Sequence, residues 1–229
     1  MFVTQISKSK WLLKFLTPTE SNNMSYSQFD LQTALTQFKL SLIEESFLSK
    51  VVPVKPSEWL ATSLDIGLNW AIDNNTEKAR AEAIITPILI EIKTKLLKGN
   101  VSLFSGKDFS VDAALGLNGL CDYIISLSPN QLLITAPVAV VFEAKREDIN
   151  SGFGQCIAAM VAAQKFNQQY QQEIETIYGA VTTGDRWRFL KLENQIVTID
   201  IAEVRIPPVN HLLGILVAIS SPEMTWQNK

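Results

Sequence analysis

The chain has 229 residues, of which 47% are hydrophobic and 19% charged, so it contains enough apolar material for a substantial core. Its formal net charge of −3 excludes a surface that attracts nucleic acid over the whole protein, and any such surface has to be a local patch. The single histidine, His211, excludes a zinc site built from several histidines, and the two cysteines have neither metal-ligand nor disulfide-framework spacing.

The apolar segments near the two ends of the chain do not predict membrane insertion. Residues 11–16 are interrupted by Lys14 and precede no small-residue cleavage site, so they make a poor signal peptide. Residues 212–219 are too short to cross a bilayer, and they predict a helix that docks on the core or on a second subunit. We therefore expect a cytoplasmic protein that does not bind membranes, and a homodimer stays open.

Helix-like spacing of apolar residues begins in the first third of the chain. It predicts one helix over residues 31–48 and another over residues 58–72, the second capped by Ser57. We expect residues 1–75 to form an N-terminal helical extension and residues 76–229 to form the core domain.

A third helix, predicted over residues 77–97, carries an acid on its apolar face. Thr76 is a suitable N-cap, and Pro87 should bend the helix because its nitrogen cannot donate a hydrogen bond. Glu82 lies on the same stripe as Ile85, Leu89, Ile92 and Leu96. A carboxylate on a buried face needs a partner, and a basic side chain in a structural ion pair is one candidate.

Two further predicted strands carry acids. Residues 138–145 form a near-continuous apolar run with charges only at Glu143 and Lys145, which predicts a strand buried on both faces. Side chains alternate across a strand, so Glu143 and Lys145 point to the same side. Asp122 opens a second strand over residues 122–127, and a turn-rich link leads back from it. Adjacent strands would bring Asp122 and Glu143 to one end of a sheet.

These acids predict either an ion pair or a metal site. In the simpler alternative, Lys145 compensates the acid beside it and extends its ammonium to water. Two carboxylates at one sheet end, however, repel each other unless a divalent cation lies between them. Oxygen ligands next to a lysine suit Mg²⁺, for which Mn²⁺ can substitute, better than zinc.

The sequence Asp122, followed after 21 positions (143 − 122) by Glu143-Ala144-Lys145, resembles the motif of the PD-(D/E)XK nuclease superfamily. Cys121 stands where the motif has proline, a position at which the superfamily varies. The resemblance covers roughly residues 76–200 and implies a restriction-endonuclease-like fold. We therefore expect an α/β protein with a three-layer α/β/α core around a mixed central β-sheet, preceded by the N-terminal helical extension.

A second resemblance lies further along the chain. After a helix that begins near residue 154, the pattern predicts a strand over residues 177–181 and a hairpin over residues 186–201. Within it, Gly184-Asp-Arg-Trp-Arg-Phe189 is similar to the segment that follows the active site in the nuclease domain of type I restriction motor subunits. The order of the two segments agrees with that family.

The resemblance assigns roles to individual residues. Its implied metal ligands are Asp122, Glu143, the backbone carbonyl of Ala144 and Glu82, the last directly or through water, with Glu77 as the alternative helix acid. Lys145 would orient the attacking water and stabilise phosphoryl charge. Gln155 would lie beside the site, although a capping or hydrogen-bonding role is equally open.

The expected function is that of a Mg²⁺-dependent nuclease that hydrolyses phosphodiester bonds, with DNA favoured over RNA as the partner. The candidate phosphate contacts are Lys78, Arg80, Lys107, Arg186 and Arg188, each of which could equally be an ordinary solvated charge. The alternative is a non-catalytic binding or assembly module that retains the nuclease fold.

Overall fold

The structure is a computed structural model that describes residues 24–221. It is an α/β protein in which a mixed eight-stranded β-sheet packs against helices. The strands are β1 (Ser41–Glu45), β2 (Ser102–Asp108), β3 (Leu120–Ser126), β4 (Val138–Ala144), β5 (Ile177–Thr182), β6 (Arg186–Glu193), β7 (Ile196–Asp200) and β8 (Val204–Arg205). The α-helices are α1 (Leu31–Phe38), α2 (Glu58–Asn74), α3 (Glu77–Arg80), α4 (Thr86–Glu91), α5 (Phe153–Gln169) and α6 (Asn210–Ile219).

Within residues 24–221, none of the helices has both the length and the apolar character needed to cross a membrane. The apolar segment at residues 11–16 lies outside the described residues. The apolar run near the C-terminus belongs to α6, most of whose residues are buried against the core.

Strand β4 lies in the interior of the sheet, whose order is β1-β7-β6-β5-β4-β3-β2 with β8 beside β6. It pairs antiparallel with β3 and parallel with β5. All seven residues of β4 are buried, so the prediction of a strand buried on both faces is confirmed. The strand predictions for β3, β5 and the β6–β7 hairpin are confirmed as well.

Two apolar clusters attach the helices to the sheet. One joins Phe142 and Trp187 to residues of α2, α4 and α6, and the other joins Val141 and Leu190 to residues of α1 and α5. The neighbours Val141 and Phe142 belong to different clusters because successive side chains of a strand point to opposite faces. Helices α1 and α2, which precede residue 76, therefore belong to the same two apolar clusters as the later elements.

The prediction of one helix over residues 31–48 is wrong. Helix α1 ends at Phe38, Lys39 adopts a left-handed conformation with φ of 55°, and β1 follows. Strand β1 pairs parallel with β7 at the edge of the sheet. The segment before residue 76 is therefore not helical throughout, because the edge of β7 offers backbone partners that override the local helical pattern.

The predicted helix over residues 77–97 is helical from Glu77 to Leu96 but is not regular. Two π-helical segments, Ala81–Ile85 and Ile92–Leu96, interrupt the α-helical hydrogen bonding. The first segment immediately precedes the turn that contains Pro87, which has no N–H to donate. A π-helical turn contains more residues than an α-helical turn. Residues that regular α-helical spacing would place on one face therefore lie on different faces of this helix.

Residues 131–135, in the link between β3 and β4, form no strand. The side-chain amide of Gln131 bonds the backbone of Leu103 in β2 instead. Its Nε2 donates to the Leu103 carbonyl at 2.6 Å, and its Oε1 accepts from the Leu103 N–H at 3.3 Å. The Gln131 side chain thus bonds backbone groups of β2 with which another strand could otherwise have paired.

Gly154→Ala is expected to destabilise the fold, because a Cβ there would lie 2.2 Å from the carbonyl carbon of Asp30, where α5 contacts the start of α1. We expect a loss of roughly 1–3 kcal/mol in the free energy of unfolding, as for other overpacked sites, measured by urea denaturation. Gln168→Ala, an exposed substitution in the same helix, is the control and should change it by less than about 0.5 kcal/mol. Equal stability of Gly154→Ala and the wild type would contradict this close contact.

Candidate metal centre

The two predicted acids meet at one end of strands β3 and β4. Tyr123 pairs with Phe142 across these strands, which brings the next residues, Asp122 and Glu143, to the same end. Asp122 Oδ2 accepts a hydrogen bond from the Ala144 N–H at 2.8 Å. The Asp122 carboxylate is therefore fixed to the strand that carries Glu143.

Lys145 lies beside Asp122 and Glu143 and forms one charged group with them. Its Nζ lies 2.5 Å from Glu143 Oε1 and 3.2 Å from Oε1 of Gln155, which is in the first turn of α5. The Lys145 N–H donates to the Thr182 carbonyl at 2.8 Å, so the backbone continues to bond to β5 beyond the end of β4. The prediction that Glu143 and Lys145 share one side of the strand is confirmed.

Burial dominates the electrostatics of this group. Burial, reinforced by the Asp122 carboxylate and opposed by Lys145, raises the pKa of Glu143 to about 8. Burial also raises the pKa of Asp122, although the hydrogen bond from the Ala144 N–H and the positive charge of Lys145 act to lower it. The two carboxyl groups therefore resist carrying two negative charges at once unless a nearby cation compensates them.

A cleft of about 200 Å³ opens beside Asp122. Its lining comes from the first turns of the 77–96 helix, from β2 and from the ends of β3 and β4, namely Glu77, Lys78, Ala81, Ser105, Gly106, Asp122, Tyr123 and Ala144. Partial burial and the proximity of Asp122 raise the pKa of Glu77, whereas Lys145 lowers it. Glu77 is therefore the helix acid that lies within electrostatic range of the group.

The prediction that Glu82 lies on the buried face of its helix is wrong. Its side chain is 62% exposed, and its carboxylate lies 3.8 Å from Lys78 Nζ on the helix surface. The π-helical segment Ala81–Ile85 changes the helical phase, so Glu82 does not share the buried face of Ile85 and Leu89.

The buried carboxylate of this helix is Glu91, which the sequence reasoning missed. Glu91 is 1% exposed and accepts hydrogen bonds from the N–H of Ser57 at 2.8 Å and from its hydroxyl at 2.9 Å. It thus satisfies donors at the start of α2, a structural role. The cleft residues Ser105 and Gly106 were missed too, because only the pairing of β2 with β3 brings them beside Asp122.

The five cations predicted as phosphate contacts divide into two groups. Lys78 and Lys107 are exposed, the first lining the cleft and the second next to Gly106. The three arginines have protein partners: Arg80 pairs with Asp185, Arg186 donates to the Glu147 carbonyl, and Arg188 donates to the Asp200 carbonyl. The two lysines are therefore the better candidates for contact with an anionic ligand.

The donor set at this end of the sheet fits a hard divalent cation in part. Residues 24–221 contain no group of three or more His, Cys, Asp or Glu side chains arranged to hold a metal ion. Two carboxylates remain, Asp122 and Glu143. Mg²⁺ commonly binds proteins through one or two carboxylates and fills its other positions with water or phosphate oxygens. The two oxygen donors thus suit Mg²⁺ or Mn²⁺ better than zinc, which favours nitrogen and sulfur ligands.

No protein-family model matches the sequence, and no curated protein matches it either. The function proposed below therefore depends on the residues of the site.

The free energy of unfolding of the metal-free protein should fall as the pH rises towards 8. Folded Glu143 keeps its proton up to a pKa of about 8, whereas the ordinary value is 4.5, so the native state binds more protons than the unfolded state between these values. Glu143→Gln cannot titrate and should remove a slope of at most about 1.4 kcal/mol per pH unit, measured by urea unfolding in EDTA. Glu175→Gln, at an exposed position, is the control. Parallel pH profiles for Glu143→Gln and the wild type would contradict this charge balance.

Proposed function

We propose that the protein is a metal-dependent nuclease that hydrolyses phosphodiester bonds, with a PD-(D/E)XK-like site on a three-layer α/β/α restriction-endonuclease-like core. The observation that carries the proposal is the meeting of Asp122, Glu143 and Lys145 at the ends of two adjacent strands. Two desolvated acids with a positioned ammonium beside a cleft are typical of a catalytic site rather than of a surface ion pair.

Asp122, Glu143 and the backbone carbonyl of Ala144 would hold Mg²⁺ or Mn²⁺, with Glu77 near enough to act through water. Bound there, the cation would supply Lewis-acid polarisation of a phosphoryl oxygen and an acidified water. The Ala144 N–H keeps Asp122 in place by its hydrogen bond at 2.8 Å. The helix acid of this proposal is Glu77 and no longer Glu82.

Lys145 would act on the substrate through its remaining hydrogen-bonding capacity. An ammonium has three N–H donors, and the contacts with Glu143 and Gln155 account for two of them. The third donor can meet the attacking water or a phosphoryl oxygen, where developing charge is stabilised best by a group already in position. Gln155 supports this role because it orients the Lys145 side chain from α5.

The proposed substrate is nucleic acid, with DNA ahead of RNA. A net charge of −3 requires local attraction, and the exposed Lys78 and Lys107 supply it beside the cleft. Lys78 is only weakly engaged by Glu82, at 3.8 Å between exposed side chains, so a phosphate can replace that contact.

A second candidate function is a non-catalytic binding module with the same fold. The observation in its favour is that Lys145 already compensates Glu143 at 2.5 Å, so the group has a stabilising partner without a metal. In such a module the two acids and Lys145 would only stabilise the fold. Metal-dependent cleavage of nucleic acid separates the two candidates.

The wild-type protein is expected to gain thermal stability with Mg²⁺ or Mn²⁺, because a ligand that binds only the folded state stabilises it. At a metal concentration about 100-fold above Kd the gain is about 2.7 kcal/mol. Asp122→Asn should lose this gain, whereas Asp65→Asn, at an exposed position of α2, should retain it. A shift that is the same in Asp122→Asn and the wild type would place the metal elsewhere and contradict the proposed centre.

Lys145→Ala is expected to lower metal-dependent cleavage of nucleic acid by about 10²–10³-fold, the usual cost of losing a positioned electrostatic group. Single- and double-stranded DNA and RNA are incubated with Mg²⁺ or Mn²⁺, with EDTA as the blank. Lys95→Ala, an exposed lysine, is the matched control and should cleave like the wild type. No cleavage by folded, metal-binding wild type on any substrate would favour the non-catalytic module.

A further inference from the structure

Arg80 is a buried arginine three residues after Glu77, which lines the cleft. It is 8% exposed, and its Nη1 donates to Asp185 Oδ1 at 2.7 Å and to the Thr183 carbonyl at 2.9 Å. Its Nη2 donates to the side chain of Asn75 at 3.3 Å. Arg80 therefore joins the end of α3 to the turn between β5 and β6 and to Asn75, the residue that follows α2.

The contacts of Arg80 continue to the segment that follows Lys145. Asn75 Nδ2 donates to Glu147 Oε1 at 2.8 Å, and Arg186 Nη2 donates to the Glu147 carbonyl at 2.5 Å. One network thus includes the α2–α3 junction, the β5–β6 turn and the chain two residues beyond Lys145. Each of these segments is next in the chain to a residue of the site or its scaffold: Glu77 begins α3, Thr182 ends β5, and Lys145 precedes Glu147 by two residues.

The chemistry of Arg80 is better suited to fixing geometry than to adding stability. A buried ion pair loses much of its attraction to the cost of desolvation, and well-packed apolar groups often stabilise a site as well. A guanidinium presents its donors in a rigid planar fork, so it sets the relative position of several acceptors at once. In the part of the chain that the structure describes, Arg80 Nε has no hydrogen-bond partner, which again disfavours a purely stabilising role.

We propose that Arg80 is a positioning residue that holds Glu77 over the Asp122–Glu143 pair, an inference that rests on the proposed function. Glu77 and Arg80 are three residues apart on one helical turn and therefore lie on neighbouring parts of its surface. Glu77 lines the cleft together with Asp122, whereas Arg80 points to the β5–β6 turn. The ion pair between Arg80 and Asp185 would fix the position of α3 along its axis and its rotation about that axis. It would thereby fix how far the Glu77 carboxylate extends towards Asp122 and Glu143.

The test measures Mn²⁺ affinity by isothermal titration calorimetry on the full chain. Outer partners of a metal site typically change affinity by 10–100-fold, so Glu77→Gln should weaken Mn²⁺ binding by about 10-fold. Arg80→Lys should weaken it by a similar factor, since the ammonium keeps the charge but loses the fork. If Arg80 acts through Glu77, the double variant should bind Mn²⁺ no more weakly than Glu77→Gln alone.

Three other results would contradict the positioning role of Arg80, each for a different reason. A lower melting temperature of Arg80→Lys with unchanged Mn²⁺ affinity would make Arg80 merely structural, and additive losses in the double variant would exclude action through Glu77. If Arg80→Lys does not fold, Asp185→Ala removes the same contact from the other side and takes its place in the cycle. Arg205→Lys, an arginine that pairs with Glu203 at the exposed edge, is the matched control. Absence of Mn²⁺ binding by the wild type would overturn the proposed function itself, and this inference with it.

Discussion

The constraint on which the site depends is the desolvation of Glu143 at the end of the central strand. This glutamate is 5% exposed, and a second carboxylate, Asp122, lies next to it. Water cannot solvate the pair fully, so compensation has to come from the protein or from a bound cation. Lys145 and the Ala144 N–H provide part of it. In the proposed function, a divalent cation would offset the negative charge that the protein does not neutralise.

The scaffold fixes this arrangement from several directions. Strand β4 is held by β3 on one side and by β5 on the other, and the Lys145 N–H extends the pairing with β5 past the last strand residue. Helix α5 brings Gln155 to the ammonium, and the 77–96 helix brings Glu77 to the cleft. Rigid elements on both faces of the sheet therefore position side chains that no single segment could hold.

Sequence reasoning succeeded where local pattern and tertiary structure agree. The apolar run of β4, the caps Ser57 and Thr76 and the alternation of Glu143 with Lys145 all follow from local chemistry. It failed where a distant partner or an irregular helical turn decides the conformation. Strand β1 exists because β7 offers it an edge, and Glu82 is exposed because π turns change the phase of its helix. The cleft beside Asp122 likewise depends on strand pairing, which no local pattern encodes.

The central claim is that Asp122 and Glu143 share one divalent cation. The most direct measurement is a crystal structure of the full chain grown with Mn²⁺, with diffraction data recorded for the anomalous signal of manganese. We predict one anomalous peak within ligand distance of both carboxylates, at about 2.0–2.6 Å from their oxygens as for hard cations. Well-ordered Asp122 and Glu143 without such a peak, with Lys145 still paired to Glu143, would contradict the claim and favour the non-catalytic module.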